Sequence, residues 1–325
     1  MCYMGFVFKK LRVKWFNKRL VKQRVKNEVL TYSPHLIILK LMSTQDFIKT
    51  LGTPYYESES VIIYNSDCRD GINRLKNSDL AIDCTITSPP YNIGKEYEEI
   101  IGLVEYRDWL SNIVNSIYDI TSDSGAFLLN VGYVDVPQKG KAVPITYLLW
   151  EHIDFYLQQE IIWNYGAGVA CKKMLSPRNE KILWYLKNAS EYTFNLDEIR
   201  DSDVKYPNQK KNGKLRCNTL GKNPSDVWQI AKVTSGDNRA SAERTDHPAQ
   251  FPTDLIDRLV KGFTNKNDIV LDPFMGSGTT AVSCINNGRK CIGFEIRPDY
   301  CEIIKWRLER TYQVKKQEEN VLSLF

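Results

Sequence analysis

The sequence predicts an α/β protein in which a mixed, mostly parallel sheet is covered by helices on both faces. Apolar runs of strand length alternate with longer segments whose apolar residues recur at helical spacing. Two of the predicted strands end in unusual loops, the proline-containing "TSPPYNIG" at 87–94 and the glycine-rich "DPFMGSGTT" at 272–280. A chain of 325 residues also provides enough material for a large buried core.

The first part of the pattern contains two strands, a helix between them and a rigid loop. "SVIIYN" at 60–65 and "LAIDCTI" at 80–86 are nearly continuous apolar runs, as in strands buried on both faces, and residues 70–77 form a short helix. Pro89 and Pro90 fix φ and remove two backbone donors. The second strand must therefore end in a stiff, extended turn.

The alternation continues through the rest of the chain. A helix at 104–120 has one apolar face, formed by Trp109, Leu110, Ile113, Val114 and Ile117. The same criteria predict strands at 125–132, 155–164, 181–187, 268–272 and 290–296, and helices at 252–262, from 278, and at 298–315. Residues 197–246 are polar, rich in Lys and Asn and poor in periodicity, so we expect an insertion or a small subdomain there.

The positive charge is concentrated at the N-terminus. Residues 1–41 contain ten Lys or Arg and one acid, Glu28, whereas the whole chain has a net charge of only +5. Such an arm, taken as residues 1–42, could contact phosphate groups without reading base sequence. The alternative, which we favour, is a non-essential extension that precedes an ordinary domain beginning near Met42.

The cysteines and the apolar runs narrow the class of protein. The eight cysteines include no CxxC pair and only three histidines accompany them, so no metal site is predicted. We expect reduced, mostly buried thiols in a cytoplasmic protein. The run "HLIILKLM" is too short to span a membrane and contains Lys40, so no membrane association is expected.

The glycine-rich loop raises the question of its ligand. Gly276, Gly278 and Ala281 match the spacing G-x-G-x-x-G/A, which could mark a dinucleotide site or a purely structural turn. Asp272 at the mouth of the loop would repel a pyrophosphate and attract an ammonium group. Glu295 closes the next strand, where an acid can accept hydrogen bonds from ribose hydroxyls. An ammonium group together with a ribose indicates S-adenosylmethionine.

Three stretches carry a family resemblance. "TSPPYN" at 87–92, "HPAQFP" at 247–252 and "DPFMGSGTT" resemble motifs IV, X and I of the DNA amino-methyltransferases of restriction-modification systems. Their order is the permuted one of the beta group, with the catalytic half first. The resemblance extends over residues 60–312 and implies a Rossmann-like, S-adenosylmethionine-dependent methyltransferase fold. It divides the chain into a catalytic half at 43–196, a target-recognition insertion at 197–246 and a cofactor-binding half at 247–325.

The resemblance also implies roles for individual residues. The hydroxyl of Ser88 and the carbonyl of Pro89 would accept hydrogen bonds from the target amine, and Tyr91 would stack on the base. His247 is expected to be structural. The implied catalytic residues are Ser88, Pro89, Pro90 and Tyr91, and the implied cofactor-binding residues are Asp67, Phe251, Pro252, Asp272, Pro273, Phe274, Gly276, Ser277, Gly278, Thr279 and Glu295. Asp67, which would lie near the adenine ring, could instead simply cap a helix.

Ser88 indicates the base that is methylated. In the family, Ser before Pro-Pro-Tyr usually accompanies cytosine-N4 methylation, and Asp there usually accompanies adenine-N6 methylation. The expected substrate is therefore a cytosine flipped out of double-stranded DNA. A companion restriction endonuclease is also expected from the resemblance, whereas the sequence does not indicate an oligomeric state or the recognised DNA sequence.

Several other functions remain open at this point. Adenine-N6 methylation by the same fold is the main alternative, and a nicotinamide-dependent oxidoreductase is a remote one. A methyltransferase acting on RNA or on protein glutamine would retain the same cofactor loop, although the glutamine-modifying relatives carry Asn in place of Ser88. An inactive DNA-binding module would be expected to have lost either Ser88 or the glycine loop.

Overall fold

The computed structural model describes residues 43–166, 170–233 and 241–322. The predicted N-terminal arm, residues 1–42, lies outside these ranges. The helices are α1 (Thr44–Leu51), α2 (Cys68–Lys76), α3 (Leu103–Ile120), α4 (Thr146–Leu149), α5 (Thr253–Phe263), α6 (Thr279–Asn287) and α7 (Pro298–Leu322), with a 3-10 turn at Leu196–Ile199. The strands are β1 (Tyr56–Glu57), β2 (Val61–Asn65), β3 (Ile82–Thr87), β4 (Thr121–Val131), β5 (Tyr133–Val136), β6 (Gly140–Pro144), β7 (Tyr156–Asn164), β8 (Asn179–Leu186), β9 (Lys210–Lys211), β10 (Lys214–Leu215), β11 (Val227–Gln229), β12 (Ile269–Asp272) and β13 (Lys290–Glu295).

A nine-stranded sheet in the order β1-β2-β13-β12-β3-β4-β8-β7-β11 organises the described part of the chain. Neighbours from β2 through β4 are parallel, whereas β8 is antiparallel to both β4 and β7. The edge strand β11 pairs in parallel with β7, and β1 is antiparallel to β2. The predicted mixed, mostly parallel α/β sheet is therefore confirmed.

Apolar side chains on both faces of the central strands pack against helices. On one face, Val61 and Ile63 belong to a buried cluster that also contains side chains from α5, α6 and α7. On the other face, Phe294 of β13 lies so close to α2 that a Cβ on Gly71 would be 2.2 Å from its ring. The continuous apolar runs in the sequence follow from this burial on both sides.

Some local features were not predicted. Strands β5 and β6 form a separate hairpin, with Tyr133 opposite Pro144, and the short helix α4 follows it. Within the polar segment 197–246, the described residues include the small hairpin β9–β10 and the strand β11, which joins the main sheet. The last helix continues to Leu322 instead of ending near 315.

The cysteines and the helices of the described residues bear on two further expectations. The seven cysteines in this part of the chain are free, and five of them are buried, which agrees with the expectation of mostly core thiols. The described helices include none that is long and apolar enough to cross a membrane.

Candidate active site

The proline loop and the glycine loop meet at one edge of the sheet. They follow β3 and β12, which are parallel neighbours in which Leu271 is paired with Thr85. The hydroxyl of Thr87, the last residue of β3, donates a 2.6 Å hydrogen bond to Asp272, the last residue of β12. Ser88 and the glycine loop therefore lie at the carboxyl ends of neighbouring strands.

A cavity of about 430 Å³ lies between these loops. It brings together most of the predicted site residues. Pro252 and Gly278 are not part of its lining: they are the N-cap residues of α5 and α6 and are adjacent in sequence to the lining residues Phe251 and Thr279. The predicted residues that line the cavity are Asp67, Ser88, Pro89, Pro90, Tyr91, Phe251, Asp272, Pro273, Phe274, Gly276, Ser277, Thr279 and Glu295.

The glycine loop depends on its glycines. Gly276 and Gly278 have φ values of 53° and 78°, in the left-handed region that residues with a Cβ rarely adopt. A Cβ at Gly276 would also lie 3.0 Å from Nε2 of His247, and one at Gly278 would lie 3.1 Å from Ile304. The buried side chain of Arg307 donates hydrogen bonds to the carbonyl of Ser277, at 2.7 Å, and holds the loop from behind.

Asp272 is buried below this loop. Its Oδ1 accepts hydrogen bonds from Thr87 and from the backbone N–H of Phe274, and its Oδ2 accepts one from Thr280 at 2.6 Å. Burial nevertheless raises the pKa of Asp272 to about 6, because the neutral hydroxyls only partly replace water around the charge. One acceptor position on Oδ2 is still available, so a cationic group in the cavity would find a poorly solvated carboxylate.

Glu295 at the end of β13 connects the glycine loop to the next turn. Its two oxygens accept hydrogen bonds from the backbone N–H groups of Gly276, at 2.8 Å, and Arg297, at 2.9 Å. Burial raises the pKa of Glu295 as well. Asp67 lines the cavity and also caps α2 by accepting from the N–H of Arg69. The Arg69 guanidinium lowers the pKa of Asp67, so this acid has a cationic partner of its own.

A polar network surrounds the proline loop. The Ser88 hydroxyl donates to Oη of Tyr91 at 2.9 Å, and Tyr91 donates to Oε2 of Glu180 at 3.0 Å. The Asn130 amide donates to both Tyr91 and Glu180, at 2.6 and 2.7 Å. Lys232 pairs with the other oxygen of Glu180 at 2.8 Å. Burial, followed by the Glu180 charge, raises the pKa of Tyr91 well above its usual range, so the phenol stays protonated.

His247 lines the cavity between two tyrosines. Its ring stacks on Tyr97 with centroids 5.9 Å apart and meets Tyr300 edge-on at 4.5 Å. Burial and the nearby Arg307 charge lower the pKa of His247 to about 4, so the imidazole is neutral at pH 7. Because Nδ1 accepts from the N–H of Ala249, Nε2 carries the hydrogen and points toward Gly276. The structural role expected for His247 remains a prediction.

Sequence reasoning missed Glu180 and Lys232 as site residues. Glu180 stands in the sequence "NEKILWYL" of β8, where two half-buried charged residues precede five buried ones. That position is a usable signal, because charged groups at the mouth of a buried strand need partners. Lys232 lies in an irregular segment and had no comparable signal.

Comparison with known proteins identifies the family. Residues 82–306 match the N6_N4_Mtase family model, whose description is DNA methylase. The chain belongs to this family of DNA methylases. The curated Type II methyltransferase M.ScaI of Streptomyces caespitosus is 54% identical to it over 82% of this chain and 88% of that protein. Membership of the family rules out the nicotinamide-dependent oxidoreductase considered above.

Solved structures confirm the fold of this DNA methylase. The PvuII DNA methyltransferase, whose name describes it as cytosine-N4-specific, is 20% identical and superposes with a TM-score of 0.61 over 82% of this chain and 95% of that chain. A complex of M1.HpyAVI with SAM is 25% identical, with a TM-score of 0.53 over 76% of this chain and 98% of that one. The predicted Rossmann-like methyltransferase fold is therefore confirmed.

Proposed function

We propose that this DNA methylase transfers a methyl group from S-adenosylmethionine to the exocyclic N4 amine of a cytosine that has been flipped out of double-stranded DNA. The observation that carries the proposal is the shared cavity, in which Ser88 and Pro89 lie beside the Asp272 loop. Transfer needs the amine and the methyl donor in near contact, and loops at the ends of two adjacent parallel strands allow this.

The lining of the cavity fits S-adenosylmethionine. The buried Asp272 carboxylate suits the ammonium group of the methionine portion, and Glu295 suits the ribose hydroxyls. Phe251 lines the same cavity and packs on Trp163, with ring centroids 5.9 Å apart. When bound, the cofactor would supply an activated methyl group and leave as the neutral thioether, and the methylated amine would lose one proton to solvent, so the residues described here need to provide only orientation and hydrogen-bond acceptors.

Ser88 and Pro89 prepare the amine for attack. The lone pair of a cytosine amine is delocalised into the ring, and hydrogen bonds that accept the amine hydrogens oppose this delocalisation. The Ser88 hydroxyl directs its hydrogen toward Tyr91, so its lone pairs remain available as acceptors. The Pro89 carbonyl would accept the second amine hydrogen. Two consecutive prolines hold both acceptors in place.

Tyr91 is the proposed stacking partner of the flipped base. Its ring fits against the backbone at Gly132, where a Cβ would be 2.9 Å from the ring, so the aromatic plane is fixed from behind. Stacking of a base on an aromatic side chain contributes about 1–3 kcal/mol, which offsets part of the cost of unstacking it from DNA. The lysine-rich segment 197–246 is proposed to contact the DNA target, and a restriction endonuclease with the same target would be the functional partner.

Nucleoside analysis tests this proposal. The full chain is expressed in a host whose DNA lacks N4-methylcytosine and N6-methyladenine, and the nucleosides of that DNA are analysed by mass spectrometry. We expect them to include N4-methylcytosine. A Ser88→Ala variant should lower the single-turnover rate by about 100- to 1000-fold while leaving cofactor affinity nearly unchanged. N6-methyladenine as the sole product would support the adenine alternative, and a fully active Ser88→Ala enzyme would refute the role of Ser88.

A further inference from the structure

The hydrogen bonds around Ser88 form a directed chain that ends at a carboxylate. Ser88 donates to Tyr91 and Tyr91 donates to Glu180, at 2.9 and 3.0 Å. An alternative acceptor for Tyr91, the carbonyl of Asn130, is farther away at 3.4 Å. Since a phenol has one hydrogen, the closer, charged acceptor at Glu180 determines where that hydrogen lies.

Glu180 is itself held from two sides. The Asn130 amide donates to Oε2 and the Lys232 ammonium donates to Oε1. Lys232 is fixed in turn above the ring of Tyr165, 3.7 Å from its centroid. The side chain of Glu180 is only 16% exposed. Tyr91, Asn130 and Lys232 all donate hydrogen bonds to the carboxylate, as expected around an ionised, acceptor-only group.

The sheet explains why these residues meet. Asn130 of β4 is directly opposite Ile182 of β8, and Glu180 lies two residues before Ile182 on the same face of that strand. Ser88 and Tyr91 leave β3 on the other side of β4. The hydrogen-bond chain that links Ser88, Tyr91 and Glu180 therefore crosses three neighbouring strands of a rigid sheet, so its geometry is set by backbone register.

The direction of this chain matters for the amine. A serine hydroxyl could equally donate to the base, for example to a ring nitrogen, and its two lone pairs would then be turned away from the amine. The Glu180 carboxylate at the end of this hydrogen-bond chain orients the Tyr91 hydrogen toward itself. The Tyr91 oxygen then accepts one hydrogen bond from Asn130 and a second one from Ser88. Ser88 then presents only acceptor lone pairs to the cavity.

We propose that Glu180 is a positioning residue for methyl transfer, which acts through Tyr91 to orient the Ser88 hydroxyl as an acceptor for the target amine. The proposal rests on the proposed function. It applies to either exocyclic amine, so its test does not depend on which base is methylated. The alternative role for Glu180 is a structural ion pair with Lys232.

The decisive variant is Glu180→Gln, which keeps the size of the side chain but can donate to Tyr91 and so reverse the chain. We expect its single-turnover rate to fall about 10- to 100-fold, the usual effect of removing a supporting partner of a functional group. The KM for cofactor and for DNA should remain within about twofold. Glu191→Gln, which removes an exposed acid outside the cavity, is the matched control and should have the wild-type rate.

A double-variant cycle separates orientation from simple structural support. Tyr91→Phe keeps the ring but breaks the chain at its middle, so it should lower the rate to a similar extent. If both residues act through one chain, the double variant should be no slower than the slower single variant. A normal rate for Glu180→Gln, a rise in both KM values at an unchanged rate, or multiplicative effects in the double variant would overturn the proposal. Absence of methylated base with the wild-type chain would instead refute the proposed function.

Discussion

The pKa of Asp272 predicts that cofactor affinity depends on pH. Burial raises this pKa to about 6, so the carboxyl group is mostly ionised at pH 8 and mostly protonated at pH 5. If Asp272 binds the cofactor's ammonium group, only the ionised form makes the ion pair. At pH 5, one pH unit below the pKa, only about a tenth of the protein is competent, so affinity should be about tenfold lower than at pH 8, equivalent to about 1.4 kcal/mol.

The direction of the effect follows from the sign of the shift. A cationic ligand stabilises the ionised carboxylate, so binding below pH 6 must release a proton, and affinity must rise with pH until Asp272 is fully ionised. His247 contributes little to this, since its pKa of about 4 leaves it neutral throughout the range. Glu295 is the competing group, because burial raises its pKa too and it lines the same cavity.

Calorimetry between pH 5 and pH 8 measures this dependence, and repeating it in buffers of different ionisation enthalpy counts the released proton. Asp272→Asn should bind weakly with an affinity that no longer changes with pH, whereas Glu295→Gln should bind less tightly but keep the pH dependence. Asn can retain contacts to Thr87 and Phe274 through its oxygen, which favours folding. A wild-type cofactor affinity that is constant from pH 8 to pH 5 would refute the assignment of Asp272 as the partner of the ammonium group. If only Glu295→Gln abolished the pH dependence of affinity, that partner would be Glu295.

Two further predictions concern packing and the N-terminal arm. Gly71→Ala should lower the free energy of unfolding by about 1–3 kcal/mol in denaturant titrations, because its Cβ would be 2.2 Å from the Phe294 ring. Gly102→Ala is the control, because a Cβ there would have no atom within 4 Å. Equal free energies of unfolding for the two variants would contradict the packing argument. Deleting residues 1–41 should leave the salt dependence of DNA binding unchanged, whereas a slope reduced by about 0.9 per lost phosphate contact would show that the arm binds DNA.

The central strands and helices were predictable because their burial is uniform. β2 and β12 are buried on both faces, so their sequences are continuous apolar runs, and α3 has a single apolar stripe. The β5–β6 hairpin and β11 were not predicted. Their residues are mostly half-exposed or exposed, and β11 has only three residues, so neither gives a clear periodic pattern.

Some of the site residues were predictable from the sequence, and others were not. Local sequence constraints revealed the proline loop, the glycine loop and the acids that end β12 and β13, because each needs a special backbone or stands at a strand end. Of the residues around Tyr91, only Glu180 gave a comparable signal, as a charged residue near the start of a buried strand. Glu180, Asn130 and Lys232 come from three separate segments, and their meeting depends on strand register and on side-chain direction, which a single sequence does not specify.

The arrangement of the sheet explains how residues far apart in the sequence form one site. Thr87 and Asp272 are 185 residues apart, yet they share a hydrogen bond because β3 and β12 are adjacent and parallel. Parallel neighbours place their carboxyl ends at the same edge whatever the order in which the chain forms them. The proposed cytosine and cofactor loops therefore need only adjacent strands, and a chain with the catalytic loop first can build the same cavity as one with the cofactor loop first. What such a chain must preserve is the β3–β12 pairing, since the contact of Thr87 with Asp272 joins the two loops directly.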